Sequence, residues 1–157
     1  MAKTPCSRRF PAACQPENEV SGTRGEGTKV AVRILKLGTP RIQNEGLRLG
    51  TVRRPPRGVR KSDYAKLDFY DLWLPELSPS KELVVFAQHS KGHDWWKRFE
   101  RRFRAEMKKP EASRVLDLLA AFSHQTNFSV GCYCENEARC HRSVLRKLLS
   151  ERRAEIV

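Results

Sequence analysis

An α/β domain, with a mainly parallel sheet and flanking helices, is the fold class the sequence predicts. Two patterns point to it. In the first half, apolar residues alternate in short runs bounded by Gly and Pro, the signature of strands. In the second half they recur at spacings of three and four, and the chain ends helix, strand, helix, the alternation that builds parallel sheets. At 157 residues the chain is long enough for one domain with a real core.

The elements follow in order. Residues 1–28 mix Pro, Gly, Ser, Thr and charge without periodicity and read as a disordered leader; Cys6 and Cys14 lie in it. Residues 29–157 read as a single α/β domain. In KVAVRILKL (29–37) Val30, Val32 and Ile34 alternate as in a strand, which Gly38 and Pro40 end. LRLGTVRRP (47–55) is a second extended stretch, RRPPRGVR (53–60) a proline-enforced loop, and LDFYDLWL (67–74) a third extended segment. Ser78 before Pro79 predicts an N-cap with proline at the first helical position, opening a helix to about Gln88. Asp94 is the expected cap of the next helix, whose Trp96, Phe99, Phe103 and Met107 make one apolar stripe. Pro110 starts another, with Val115, Leu118, Leu119 and Phe122 on one face. NFSVGCYC (127–134) is the last strand, and the final helix runs from about Cys140 to Arg153 with Val144, Leu145, Leu148 and Leu149 inward.

Net charge is +13, and its distribution is uneven: residues 29–62 hold ten basic side chains and one acidic. That concentration favours a polyanionic partner, nucleic acid or nucleotide, against a solvated face that only aids solubility. Arg53, Arg54, Arg57 and Arg60 surround two prolines in a stiff loop suited to bidentate phosphate contacts. The alternative is that these arginines pair with Asp68, Asp71 or Glu76. Trp73, Trp95 and Trp96 would supply base stacking, or would simply be core. Neither the GxGxxG fingerprint nor the phosphate-loop lysine motif is present, and no cofactor is implied. No run is apolar enough for a membrane span and none reads as a signal peptide, so a cytoplasmic setting without a membrane partner is expected. Thiols are normally reduced there.

VGCYCENEARCHRSVLRKLL (130–149) carries the densest chemistry. Helix N-termini offer unsatisfied amides and a positive dipole end, so an anion would bind near Cys140, helped by Arg139 and Arg142. The same field would favour the Cys140 thiolate, with His141 as acid or base. Three readings compete: a thiolate or anion site on Arg139, Cys140, His141 and Arg142; a structural segment in which Cys132 packs, Cys140 caps the helix and the arginines meet Glu135 and Glu137; and zinc held by Cys132, Cys134, Cys140 and His141, whose C-x-C-x5-C-H spacing is unusual.

CYCENEARCHRSVLRKLL resembles the signature of the bacterial and archaeal domain of unknown function 488 family, a cysteine at the end of the last strand followed by Arg-Cys-His-Arg at the start of the last helix. Cys132, Arg139, Cys140, His141 and Arg142 match it, and RRPPRGV, LDFYDLWLPELSPSKEL and WWKRFERRFRAEM resemble other blocks of the family. The likeness covers residues 29–157 and implies a Rossmann-like fold rather than a particular activity. Members often lack a cysteine where this chain has Cys134, which weighs against four-ligand zinc; the shared pair, Cys132 and Cys140, would serve as a redox couple. The sequence thus leads with a phosphate-ligand protein. A thiol enzyme using Cys140 with Cys132 comes second, and a non-catalytic interaction module third.

Overall fold

A computed structural model describes residues 30–90 and 92–157. The expected leader, with Cys6 and Cys14, lies outside the described residues. Four strands form one parallel sheet: β1 (Val32–Lys36), β2 (Leu47–Gly50), β3 (Leu72–Trp73) and β4 (Phe128–Cys132), in spatial order β1-β4-β2-β3. Four helices follow or interrupt them: α1 (Lys81–His89), α2 (Trp95–Met107), α3 (Pro110–Phe122) and α4 (His141–Glu151). This is the expected α/β class with a parallel sheet.

The alternation read in the sequence sorts the two faces of the sheet. Val32, Ile34, Leu49, Phe128 and Val130 point to the face that packs on Phe99, Phe103, Leu116, Val144 and Leu145 of the helices. The opposite face carries Arg48, Gly50, Ser129 and Gly131 and is covered by loops rather than helices. There Glu45 and Arg48 form a buried bidentate pair, Nε to Oε1 at 2.6 Å and Nη2 to Oε2 at 2.7 Å. Arg48 Nη1 donates to the carbonyls of Thr39 and Asp68, and Ser129 Oγ donates to Glu45, so the buried charges are fully bonded. Tyr70 lies flat enough over Gly50 that a Cβ there would sit 2.4 Å from its ring.

Four local expectations change. The second extended stretch pairs only over Leu47–Gly50 and the third only over Leu72–Trp73, because the chain turns away at the proline loop and through a short 3-10 turn at Lys61–Asp63. Ser80, not Ser78, caps α1, its Oγ accepting from Leu83 N at 3.2 Å. Ser78 is buried instead and donates to the Pro75 carbonyl at 2.6 Å, closing a 3-10 turn at Pro75–Leu77. Asp94 occupies the N-cap position of α2 without a side-chain capping bond. In α3 the buried face is Ala112, Leu116, Leu119 and Ala120, while Leu118 and Phe122 are exposed. Among the described residues no helix is long and apolar enough to cross a membrane.

Candidate functional site

Strand β4 is central and ends at Cys132. Eight residues later the chain enters α4, with Cys140 in extended conformation (φ −124°, ψ 147°) at the N-cap position and His141 as the first helical residue. The connecting loop makes one 3-10 turn, Glu137–Arg139, fastened by Asn136 Oδ1 accepting from Ala138 N and by a Glu137–Arg146 ion pair at 2.8 Å. This folds the loop back and returns Cys140 to the strand end it left at Cys132. Both cysteines sit in a second apolar cluster with Leu37, Val52 and Tyr70.

The imidazole of His141 is 5% exposed and edge-on to Phe103, ring centroids 5.6 Å apart. Its Nε2 lies 2.7 Å from the Thr51 carbonyl oxygen. A carbonyl only accepts, so Nε2 carries a proton, and Nδ1 is the ring nitrogen that faces Cys140. That atom is 3.7 Å from Cys140 Sγ. Thr51 is fixed in turn by its hydroxyl, which donates to the Gly131 carbonyl at 3.0 Å. Cys132 Sγ is 3.6 Å from Cys134 Sγ. Hydrogen bonds to Cys134 and Cys140, then burial, push the Cys132 thiol well above its ordinary range. The same bonds received from Cys132 lower the thiols of Cys134 and Cys140, with the Arg142 charge adding to the first and His141 to the second.

These groups form the floor of a cleft of about 860 Å³. Its lining includes the proline loop and two aromatic groups, Trp95, Trp96 and Phe99 from α2 and Phe69 with Tyr133 beside the cysteines. The cleft lies at the carboxyl ends of β2 and β4, the usual place for a site in a parallel sheet. The predicted arginines divide. Arg54, Arg57 and Arg139 are exposed and line the cleft. Arg53 also lines it, but its guanidinium donates to the carbonyls of Pro79 at 2.8 Å and Ser78 at 3.1 Å, tying the proline loop to the start of α1. Arg142 is 3% exposed and donates Nη2 to the Cys134 carbonyl at 2.7 Å, anchoring the cysteine loop. Of the acids proposed as arginine partners, Asp68 and Asp71 engage Arg41, Glu135 engages Lys36 and Glu137 engages Arg146.

The family model described as the active DUF488-N3 subclade matches residues 32–153. The chain belongs to the DUF488 family. No curated protein and no solved structure was found to match it. The DUF488 match spans the sheet, all four helices and the whole cysteine loop. Sequence reading missed Thr51 as the residue that orients His141, and Phe69 and Tyr133 as walls. The signal for Thr51 was its place directly after β2, where parallel strands deliver site residues.

Proposed function

We propose that the cleft of this DUF488 protein binds a phosphate-bearing ligand with a planar ring, a nucleotide or an unpaired nucleotide of a nucleic acid. The observation that carries the reading is that four aromatic side chains, Trp95, Trp96, Phe69 and Tyr133, and three exposed arginines, Arg54, Arg57 and Arg139, line one cavity of about 860 Å³. Stacking suits the ring and guanidinium forks suit the phosphate. The start of α4 opens on the same cleft and adds its amide ends.

The test is tryptophan fluorescence titrated with nucleotides and short oligonucleotides at rising salt, since Trp95 and Trp96 line the cleft. Binding should weaken with salt, with a slope set by the phosphates neutralised. Arg54→Ala, Arg57→Ala and Arg139→Ala should each cost about tenfold or more in affinity, as expected for a charge-assisted hydrogen bond of about 1.5–3 kcal/mol. Arg60→Ala, outside the cleft lining, is the control. Absence of binding at low salt would sink the reading. A second reading, thiol chemistry at Cys140, is supported by the contact of its Sγ with His141 Nδ1. Selective alkylation of Cys140 that destroys a turnover, in metal-free protein, would favour it.

A further inference from the structure

We infer that Cys132, Cys134, Cys140 and His141 form a zinc site at the floor of the cleft. The inference stands on the arrangement of the donor atoms and does not depend on the phosphate reading.

Zinc–sulfur bonds of about 2.3 Å and zinc–nitrogen bonds of about 2.0–2.1 Å in a tetrahedron place neighbouring sulfurs about 3.8 Å apart and sulfur and nitrogen about 3.5 Å apart. The protein has 3.6 Å between the sulfurs of Cys132 and Cys134. It has 3.7 Å between Cys140 Sγ and His141 Nδ1. The donor atoms of Cys132, Cys140 and His141 all lie within 4.8 Å of one another, and all three residues are buried; Cys134 lies outside that group and adjoins it through Cys132, so it closes the site by a small movement of its exposed loop. The C-x-C-x5-C-H spacing is unusual for zinc, since it asks adjacent residues at a helix start to share one ion. The extended backbone of Cys140 removes that objection: it is the cap, His141 is already helical, and their side chains converge.

The surroundings have the form of a metal site's outer layer. Metal-bound histidines donate their second ring N–H to a fixed acceptor, which sets the tautomer. His141 donates Nε2–H to the Thr51 carbonyl at 2.7 Å and leaves Nδ1 for the ion. Cys134 sits on an exposed loop, yet its carbonyl is held at 2.7 Å by the buried guanidinium of Arg142. That bond anchors the loop that sets the Cys134 sulfur 3.6 Å from the sulfur of Cys132. Thiolate and imidazole ligands select zinc over the hard cations, which prefer oxygen. Binding displaces the thiol protons to solvent and involves no redox step.

The experiment uses the full chain, reduced, with zinc or cobalt(II) added and excess removed by gel filtration. Expected are one zinc per chain, the intense visible bands of tetrahedral cobalt with thiolate charge transfer, and joint protection of Cys132, Cys134 and Cys140 from alkylation, reversed by chelator. Cys6 and Cys14, which are not among these ligands, are the comparison thiols, and zinc should not change their alkylation. Cys134→Ser should keep the metal but lose it to chelator about tenfold faster or more; Cys132→Ser and Cys140→Ser should not retain it. Where those variants fail to fold, the wild-type stoichiometry, cobalt spectrum and protection pattern decide alone. A reduced wild-type protein that retains no zinc, an octahedral cobalt spectrum without thiolate bands, or alkylation indifferent to zinc would overturn the site. Nucleotide titration of the same samples separates this outcome from failure of the phosphate reading.

Discussion

Arg48 shows how a single residue can mislead and inform. In the sequence it is one of ten basic residues between 29 and 62 and counts toward a polyanion surface. In the protein it is fully buried and saturated by Glu45, Thr39 and Asp68. Nothing in a period-two pattern says that the polar side of a strand faces a loop layer rather than water. The pair has a pH signature. Burial pushes the Glu45 carboxyl up, but hydrogen bonds from Arg48 and Ser129 and the Ile42 amide outweigh it and bring it from 4.5 to about 2. A depressed carboxyl stabilises the fold above its unfolded value and loses that contribution as pH falls through the folded one. Stability should therefore decline between about pH 4.5 and about pH 2, measured by urea midpoints. Glu45→Gln should flatten this decline. It should also cost about 3–5 kcal/mol near neutrality, because Arg48 is left as an uncompensated buried charge.

At the scale of elements, legibility followed the strength of the pattern. Helix α4 and strand β4 were readable because Val144, Leu145, Leu148 and Leu149, and then Phe128 and Val130, keep one period without competing apolar positions. In α3 two faces compete: Val115, Leu118, Leu119 and Phe122 fit a helical stripe as well as Ala112, Leu116, Leu119 and Ala120 do. Tertiary packing chose the face with alanines, which lets α3 approach the core closely. Leu116→Ala should then cost about 2–5 kcal/mol, whereas Leu118→Ala, half exposed, should stay within about 0.5 kcal/mol. Equal effects in denaturant titrations would restore the other face. The capping of α1 was ambiguous for a similar reason, since Ser78 and Ser80 flank one proline. Ser80→Ala should destabilise by about 1 kcal/mol through the lost bond to Leu83 N.

The candidate site was legible in its residue types and not in its geometry. Cys132, Cys140, His141 and Arg139 were identifiable from the cysteine segment, and the structure gathers them at one cleft. What could not be read was the return of the loop, which depends on contacts far apart in sequence, such as His141 with Thr51, 90 positions away. The whole molecule closes in the same way at its edge. β1 is hydrogen-bonded on one side to β4. On its other side Val32 N donates to the Glu155 carbonyl at 2.8 Å and the Val32 carbonyl accepts from Val157 N at 3.1 Å. Ile156 packs against the core beside it. Residues 155–157 thus form a bridge that covers the start of this edge at Val32, where open backbone groups would otherwise template association.

Truncation at the two ends of the chain should therefore have unequal effects. Removal of residues 1–28, which lack apolar periodicity, should leave the melting temperature and nucleotide titration nearly unchanged if 29–157 is one folding unit. Removal of residues 155–157 takes away two backbone hydrogen bonds, each about 0.5–1.5 kcal/mol, and the partly buried Ile156. A loss of about 2–4 kcal/mol follows, read as a melting temperature lower by several degrees. The exposed β1 edge should also raise concentration-dependent association, visible by light scattering. A short C-terminal deletion with no thermal effect would show that the β1 edge is held by β4 alone, and a large effect of the N-terminal deletion would show that the folding unit begins before residue 29.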